Sequence, residues 1–182
     1  GGLGVNYLQT QEKVNLQLIK NELDKYYHDV PYKISFEPGR YLVANAGILV
    51  TSVITIKNNG GINYLITDAG MNSLIRPALY QVRHEIESVS NDNEKIIHYT
   101  VAGPICESSD IFEKNIRLPK QEVGNLIIIK DTGAYGQVMA SNYNSRGLPV
   151  EVLINKDNFC VIHQPLSTKE FIDRDHIPKW LT

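Results

Sequence analysis

The chain has 182 residues, of which 42% are hydrophobic and 21% charged, and its formal net charge is −2. This length is enough for one good-sized domain, or for one domain and part of another. The charge gives no support to binding of nucleic acid or of an anionic membrane surface, and no apolar run approaches the ~20 residues of a membrane helix. With only two cysteines, Cys106 and Cys160, we expect a protein of the reducing cytoplasm.

The first predicted elements are a loop, a helix and a strand. Residues 1–4 read Gly-Gly-Leu-Gly, and such glycines let a backbone approach a ligand, often a phosphate, although ordinary turns share the pattern. Apolar residues at helical spacing predict an amphipathic helix over residues 10–28, and residues 32–36 predict a strand. A glycine-rich loop usually follows a strand, so we expect this sequence to be the C-terminal part of something larger.

The predicted strand runs into Glu37, Pro38, Gly39 and Arg40, which places two opposite charges at its C-terminal end. In barrels and open α/β sheets, ligands bind at this end of the strands. Arg40 and the N–H groups of the turn suit an anion, and Glu37 suits a cationic ring nitrogen. A salt bridge at the end of a strand explains the same residues equally well.

The sequence changes character after a short helical or turn segment over residues 41–47. Residues 48–57 are dense in β-branched side chains, and Asn-Asn-Gly-Gly at 58–61 predicts a hairpin turn. Further strands are predicted over residues 62–68, 82–89, 95–102, 125–130, 151–155 and 158–163, and a short helix near residues 168–173. We therefore divide the chain into an α/β part, residues 1–47, and a mostly antiparallel, β-sandwich-like domain, residues 48–182.

Loop-like islands of polar and small residues interrupt the second part, and such loops commonly carry function. They cover residues 68–80, 103–110, 131–136 and 139–144. Together with the turn at Glu37–Arg40, they resemble in order and spacing the C-terminal half of the diaminopimelate decarboxylases. These are pyridoxal-phosphate (PLP) enzymes of the alanine-racemase-like fold, and the similarity extends from Gly1 to about Leu153.

This resemblance implies a fold and an assembly. The family has a (β/α)8 PLP-binding barrel followed by a β-domain, so residues 1–47 would be the α/β remnant of that barrel. The family's lysine-bearing strand, its ring-stacking histidine and the first half of the barrel have no counterpart in this sequence. We therefore expect the chain alone to be inactive and to associate with the missing N-terminal half of the barrel.

The resemblance also implies which residues bind the cofactor. Gly1 and Gly2 match the loop that holds the cofactor phosphate. Glu37 matches the carboxylate that pairs with the pyridine nitrogen and keeps the ring able to accept electrons. Gly39 and Arg40 match the turn that contacts the phosphate and the substrate.

Further matches concern the substrate. Arg76 and Tyr80 match substrate-binding positions, and Tyr135 matches a residue that contacts both cofactor and substrate. Cys106 matches the acid that protonates the carbanion after carbon dioxide leaves. The resemblance places Cys106 and Glu107 in the active site of the partner subunit, so that activity requires a homodimer.

Diaminopimelate carries an amino-acid group at each end, so the end that does not react presents one carboxylate and one ammonium. Arg76 can grip that carboxylate as a fork, and Glu107 can take the ammonium. The pair favours decarboxylation of meso-diaminopimelate to L-lysine over simple diamine-forming relatives, which meet only an ammonium there. The alternatives are a PLP decarboxylase of another basic amino acid, of the ornithine or arginine type, and an incompetent fragment or dimerisation module.

Each of these side chains, considered alone, can also be explained by a purely structural role. A free cysteine is commonly buried filler, Arg76 suits a surface salt bridge, and Tyr80 and Tyr135 suit half-buried packing positions. The five histidines share no metal-ligand spacing, and no metal site is predicted. Only the complete set of residues, in its order and spacing, indicates a function.

Overall fold

The structure, a computed structural model, describes residues 1–8, 14–89 and 95–181, so part of the predicted helix, residues 10–13, lies outside it. No helix in these ranges is long and apolar enough to cross a membrane. Its elements are α1 (Leu16–Tyr27), α2 (Gly39–Val43), β1 (Leu49–Asn59), β2 (Ile62–Thr67), α3 (Arg76–Tyr80), β3 (Ile86–Ser88), β4 (Ile96–Ala102), β5 (Ile111–Pro119), β6 (Leu126–Ile129), β7 (Glu151–Asn155), β8 (Asn158–His163) and α4 (Thr168–Ile172). Short 3-10 turns cover Ala44–Ala46, Gln137–Met139, Tyr143–Ser145 and Lys179–Leu181.

Helix α1 confirms the predicted amphipathic helix over residues 16–27, and it starts later than predicted because residues 14 and 15 are not helical. It begins after Asn15, whose side chain accepts a hydrogen bond from the N–H of Leu18 at 3.0 Å and so caps the helix. None of its residues is buried by the described part of the chain. Its apolar side and the side chains of Tyr32, Ile34 and Phe36 line an open groove of about 560 Å³.

The predicted strand over residues 32–36 is wrong for this structure. A strand needs a neighbour to exchange backbone hydrogen bonds, and no described strand lies beside this segment. Its apolar side chains Tyr32, Ile34 and Phe36 line the groove against α1, yet they stay between 39% and 63% exposed.

The other strands form one mixed sheet of six, in the order β3-β6-β1-β2-β4-β5, and a separate hairpin of β7 and β8. Pairs β1–β2, β1–β6, β3–β6, β4–β5 and β7–β8 are antiparallel, while β2 and β4 are parallel, so the domain is mostly antiparallel as predicted. Gly60 and Gly61, with φ of +58° and +82°, make the predicted hairpin turn. Strand β5 and helix α3 were not predicted; Asn115, with φ of +54°, interrupts the regular alternation of β5.

The hydrophobic core is built mainly from the strands of this sheet. Along β6, Ile127 and Ile129 are 0% exposed while Leu126 is 40% exposed, the period of two that a half-buried strand requires. The buried members of the core are Val53, Leu65, Ala69, Leu74, Ile86, Tyr99, Val101, Phe112, Leu118, Ile127 and Ile129. The described residues before Ala44 add no fully buried side chain, so the core belongs to the sheet.

Close backbone contacts join the segment after α2 to the loop over residues 131–136. Thr132 donates its N–H to the carbonyl of Gly47 at 2.8 Å, and Gly133 donates to the carbonyl of Ala44 at 3.0 Å. A Cβ on Gly47 would lie only 2.6 Å from the Cα of Gly133, so the approach requires glycine. This contact brings the two predicted ligand-binding turns together.

Candidate functional site

A cluster of Arg40, Arg76, Tyr7 and Tyr135 forms where four separate segments meet; we call it the arginine–tyrosine cluster. The guanidinium carbon of Arg40 lies 5.4 Å from the ring centroid of Tyr135, and that of Arg76 lies 5.8 Å from the same ring. Arg76 also lies 4.7 Å from the ring centroid of Tyr7. These are cation–π distances, so both rings favour positive charge at this point.

Arg76 is the buried charge of the cluster, with 2% of its surface exposed. Its Nη1 donates a hydrogen bond to the hydroxyl of Tyr7 at 2.6 Å, while its Nε has no hydrogen-bond partner among the described residues. No described carboxylate forms an ion pair with it. A buried cation is costly unless an anion offsets it, so this guanidinium suits a ligand carboxylate, which its fork can bind at two points.

His84 packs beside the cluster, with its ring centroid 4.8 Å from that of Tyr7 in an edge-on contact. Its Nδ1 lies 2.8 Å from the carbonyl of Lys130. Burial lowers the pKa of His84; that hydrogen bond opposes the shift, and the charge of Arg76 lowers the pKa further. A neutral imidazole at neutral pH adds no second positive charge beside the arginine.

The predicted cofactor residues lie along one edge of the site. A Cβ on Gly1 would lie 3.5 Å from the carbonyl oxygen of Glu37, so the glycine-rich start runs beside the turn. Gly2 has a φ of +97°, a conformation that favours glycine. Gly39 donates its N–H to the carbonyl of Glu37 at 3.0 Å, and Arg40 follows it in α2. Arg40 joins this edge to the arginine–tyrosine cluster.

Tyr135 lies between the two arginines on a strained loop. Its φ is +62°, and that of Asp131 is +58°, values that side-chain-bearing residues seldom adopt. Asn45 donates to a carboxylate oxygen of Asp131 at 2.5 Å and helps to hold the loop. Such backbone strain clusters at functional sites, and here it holds an aromatic ring 42% exposed at the surface of the site.

Cys106 and Glu107 lie on the exposed loop between β4 and β5. Hydrogen bonds from the backbone of Ser109 and the hydroxyl of Ser108 lower the pKa of Glu107, so its side chain is charged at neutral pH. Within the described ranges, no hydrogen bond, ion pair or ring contact joins either residue to the arginine–tyrosine cluster of the same chain. The predicted site residues therefore lie in two separate places, the arginine–tyrosine cluster with its adjoining turn and the loop between β4 and β5.

Tyr80 lies one helical turn after Arg76, at the end of α3, and is 56% exposed. The two side chains share a helix face, although no described contact joins Tyr80 to the cluster. Tyr7 was missed by the sequence reasoning. Its position three residues after a glycine-rich loop was the available signal, but its partners Arg76 and His84 are far away in the chain.

Comparisons with known proteins identify the family of the chain. The family model described as "Pyridoxal-dependent decarboxylase, C-terminal sheet domain" matches residues 21–133, more than half of the chain. The chain belongs to this family of pyridoxal-dependent decarboxylases and carries its C-terminal sheet domain. The family resemblance drawn from the motifs is confirmed, as is the cofactor that characterises the family.

Three proteins similar to this chain are diaminopimelate decarboxylases. The chain is 46% identical over 147 residues to that of Archaeoglobus fulgidus, covering 80% of this chain and 35% of the relative. The solved enzyme of Methanocaldococcus jannaschii superposes with a TM-score of 0.92 at 38% identity, covering 100% of this chain and 43% of the other. The Helicobacter pylori enzyme, solved in complex with L-lysine, gives 0.87 at 37% identity over 94% and 42%. The chain thus spans less than half the length of these relatives.

Proposed function

We propose that this chain is the C-terminal part of a PLP-dependent diaminopimelate decarboxylase, which makes L-lysine from meso-diaminopimelate in the last step of lysine biosynthesis. The observation that carries the proposal is the buried guanidinium of Arg76, which has no acidic partner among the described residues. It suits the distal carboxylate of diaminopimelate and would repel the lone distal ammonium of ornithine. Similarity to enzymes of that name supports the same substrate.

The residues present fit the cofactor. We assign Gly1, Gly2, Gly39 and Arg40 to its phosphate, Glu37 to its pyridine nitrogen, and Tyr135 to a contact with both cofactor and substrate. The contact of Gly1 with the Glu37 turn and the stacking of Arg40 on Tyr135 support one continuous binding edge. When bound, the cofactor supplies a protonated ring that stabilises the carbanion left by the loss of carbon dioxide.

The remaining residues bind the substrate and supply a proton. Arg76 grips the distal carboxylate with parallel N–H···O bonds, with Arg40 and Tyr80 beside it. Glu107 binds the distal ammonium, and its lowered pKa keeps it ionised for that task. Cys106 holds the proton on its Sγ and gives it to the carbon from which carbon dioxide has left, because a thiol positioned at the reacting carbon can act as a general acid.

The proposal includes an assembly. Because Cys106 and Glu107 are exposed and their described contacts stay away from the cluster of their own chain, we propose that they act in the site of the partner subunit of a homodimer. The N-terminal half of the barrel covers the groove beside α1 and supplies the lysine that anchors the cofactor. Residues 1–47 complete that barrel, residues 48–182 form the β-domain, and the enzyme works in the cytoplasm.

The test is carbon dioxide release from meso-diaminopimelate by the full-length polypeptide that contains this chain. Replacing Arg76→Ala should lower kcat/KM about 100-fold or more, because a charge-assisted bidentate contact is lost, and Glu107→Asp should also impair turnover strongly. Arg117→Ala, an exposed arginine on β5, is the matched control. Near-normal rates in both site variants, or preference for ornithine in the unaltered enzyme, would refute the proposal.

A further inference from the structure

The exposed loop that carries Cys106 and Glu107 ends at a buried carboxylate. Asp110 is 3% exposed, whereas residues 106–109 are all exposed. Asp110 comes directly before β5, which begins at Ile111. The loop is therefore held to the rest of the domain at Asp110, where it joins β5.

Both carboxylate oxygens of Asp110 accept hydrogen bonds from backbone N–H groups. Oδ1 accepts from Met71 at 2.6 Å, and Oδ2 accepts from Ile105 at 2.7 Å. The main chain adds two bonds, because Gly103 donates to the carbonyl of Asp110 at 3.0 Å and Asp110 donates to that of Glu107 at 3.1 Å. Since Met71 follows β2, one side chain ties two loops together.

Two glycines allow the carboxylate to reach these N–H groups. A Cβ on Gly103 would lie 2.4 Å from Oδ2 of Asp110 and 2.4 Å from the Cα of Gly70, and a Cβ on Gly70 would lie 2.8 Å from the same oxygen. Real Cβ atoms do not approach other atoms so closely, so the backbone is packed around the carboxylate itself. Burial raises the pKa of Asp110, and the hydrogen bonds from Ile105 and Met71 oppose that shift.

The anchored segment leads directly to the buried arginine. Ser73 and Leu74 both donate their N–H groups to the carbonyl of Gly70, at 2.9 and 3.1 Å, which makes residues 70–74 a tight turn. Helix α3 then begins at Arg76. A side chain that fixes Met71 therefore also limits where α3 starts.

We propose that Asp110 is the positioning residue of the loop that presents Cys106 and Glu107, and that it fixes this loop against the turn leading to Arg76. The role of the loop in proton donation rests on the proposed function, whereas the anchoring does not. Asp110 touches no reacting atom in this scheme; it acts by holding the amides of Met71 and Ile105.

The first experiment uses Asp110→Asn in the full-length polypeptide. An amide of the same shape must turn an N–H toward one of the two backbone N–H groups, so the loop shifts. We expect the alkylation rate of Cys106 by iodoacetamide to change at least about threefold while that of Cys160 stays the same, and kcat to fall about tenfold or more. Asp157→Asn, in the exposed turn between β7 and β8, is the control and should change neither. Unchanged Cys106 reactivity and kcat, or equal changes at both cysteines, would overturn the proposal.

A second measurement needs no variant and covers the case in which Asp110→Asn fails to fold. Amide hydrogen exchange in the unaltered protein should be about 100-fold slower at Met71 and Ile105 than at exposed Ser108. Exchange as fast as at Ser108 would overturn the anchor. The amides could be protected and the reactivity of Cys106 altered in a protein that does not decarboxylate diaminopimelate. That result would support the anchoring role of Asp110 and refute the proposed function.

Discussion

At the scale of single residues, the hydroxyl of Tyr7 decides how Arg76 is oriented. The hydroxyl accepts a hydrogen bond from Nη1 of Arg76, and the ring of Tyr7 stacks against the guanidinium. Nε has no partner among the described residues, so the edge of the guanidinium that includes Nε can bind a ligand. Because the guanidinium is already held in place, binding a carboxylate costs little side-chain conformational entropy. Tyr7 therefore extends the site beyond the residues that the motifs indicate.

We predict that Tyr7→Phe raises the KM for meso-diaminopimelate about tenfold, because a hydrogen bond to a charged group is lost. The ring contacts with Arg76 and His84 are retained, so kcat should change much less. Steady-state kinetics of the full-length polypeptide give both constants. Tyr64→Phe, on β2, is the control; an unchanged KM in the Tyr7 variant would show that the hydroxyl does not orient the arginine.

His84 predicts a pH dependence of stability. Its pKa in the folded chain is lowered below the ordinary value of 6.5, chiefly by burial. The unfolded state therefore binds more protons at pH values between the folded pKa and 6.5, so stability falls as the pH drops through that window. Acidification from pH 7.5 to 5.5 should lower the Tm of the wild type more than that of His84→Gln. A variant at exposed His163 should behave like the wild type, and equal losses in all three proteins would contradict the prediction.

At the scale of elements, the contact between α2 and the loop over residues 131–136 assembles the site. Gly133 is its tightest point, because a Cβ there would lie 2.0 Å from the carbonyl oxygen of Val43. This packing sets the distance between Arg40 and Tyr135, which belong to the two elements.

We predict that Gly133→Ala destabilises the chain by about 1–3 kcal/mol through overpacking and weakens PLP binding by separating Arg40 from Tyr135. Denaturant unfolding measures the first effect, and titration of the full-length polypeptide with PLP measures the second. Gly4→Ala, where nothing lies within 4 Å of the added Cβ, is the control for stability. Wild-type stability in the Gly133 variant would mean that α2 and the loop separate without cost.

At the scale of the whole molecule, the buried core and the apolar groove lie in different parts of the chain. The core is centred on the six-stranded sheet, while α1 and the side chains of Tyr32, Ile34 and Phe36 leave the groove open. Large apolar side chains left exposed beside one another, such as Leu16, Tyr32 and Phe36, suit an interaction site. A further stretch of barrel is the occupant that the proposed function requires.

We predict that the 182-residue chain, mixed with PLP and reduced with borohydride, gains no cofactor on a defined lysine, because the proposed function assigns the anchoring lysine to an N-terminal half of the barrel. Intact mass spectrometry measures the adduct, and adding the N-terminal half should restore it. Alone, the chain should also self-associate through its open groove, which sedimentation at several concentrations will detect. One specific adduct on the isolated chain, or a monodisperse stable monomer, would contradict this assembly.

The sequence alone determined the features that depend on neighbouring residues. Asn-Gly chemistry set the turn at Gly60, β-branched runs set most strands of the sheet, and the order of the polar islands identified the family. Features that need distant partners were decided only by the tertiary structure: residues 32–36 form no strand without a neighbour, Arg76 is oriented by Tyr7, and Asp110 bonds to Met71. Local conformational preference is written in adjacent residues, whereas burial and hydrogen bonding across long separations arise only when the chain packs.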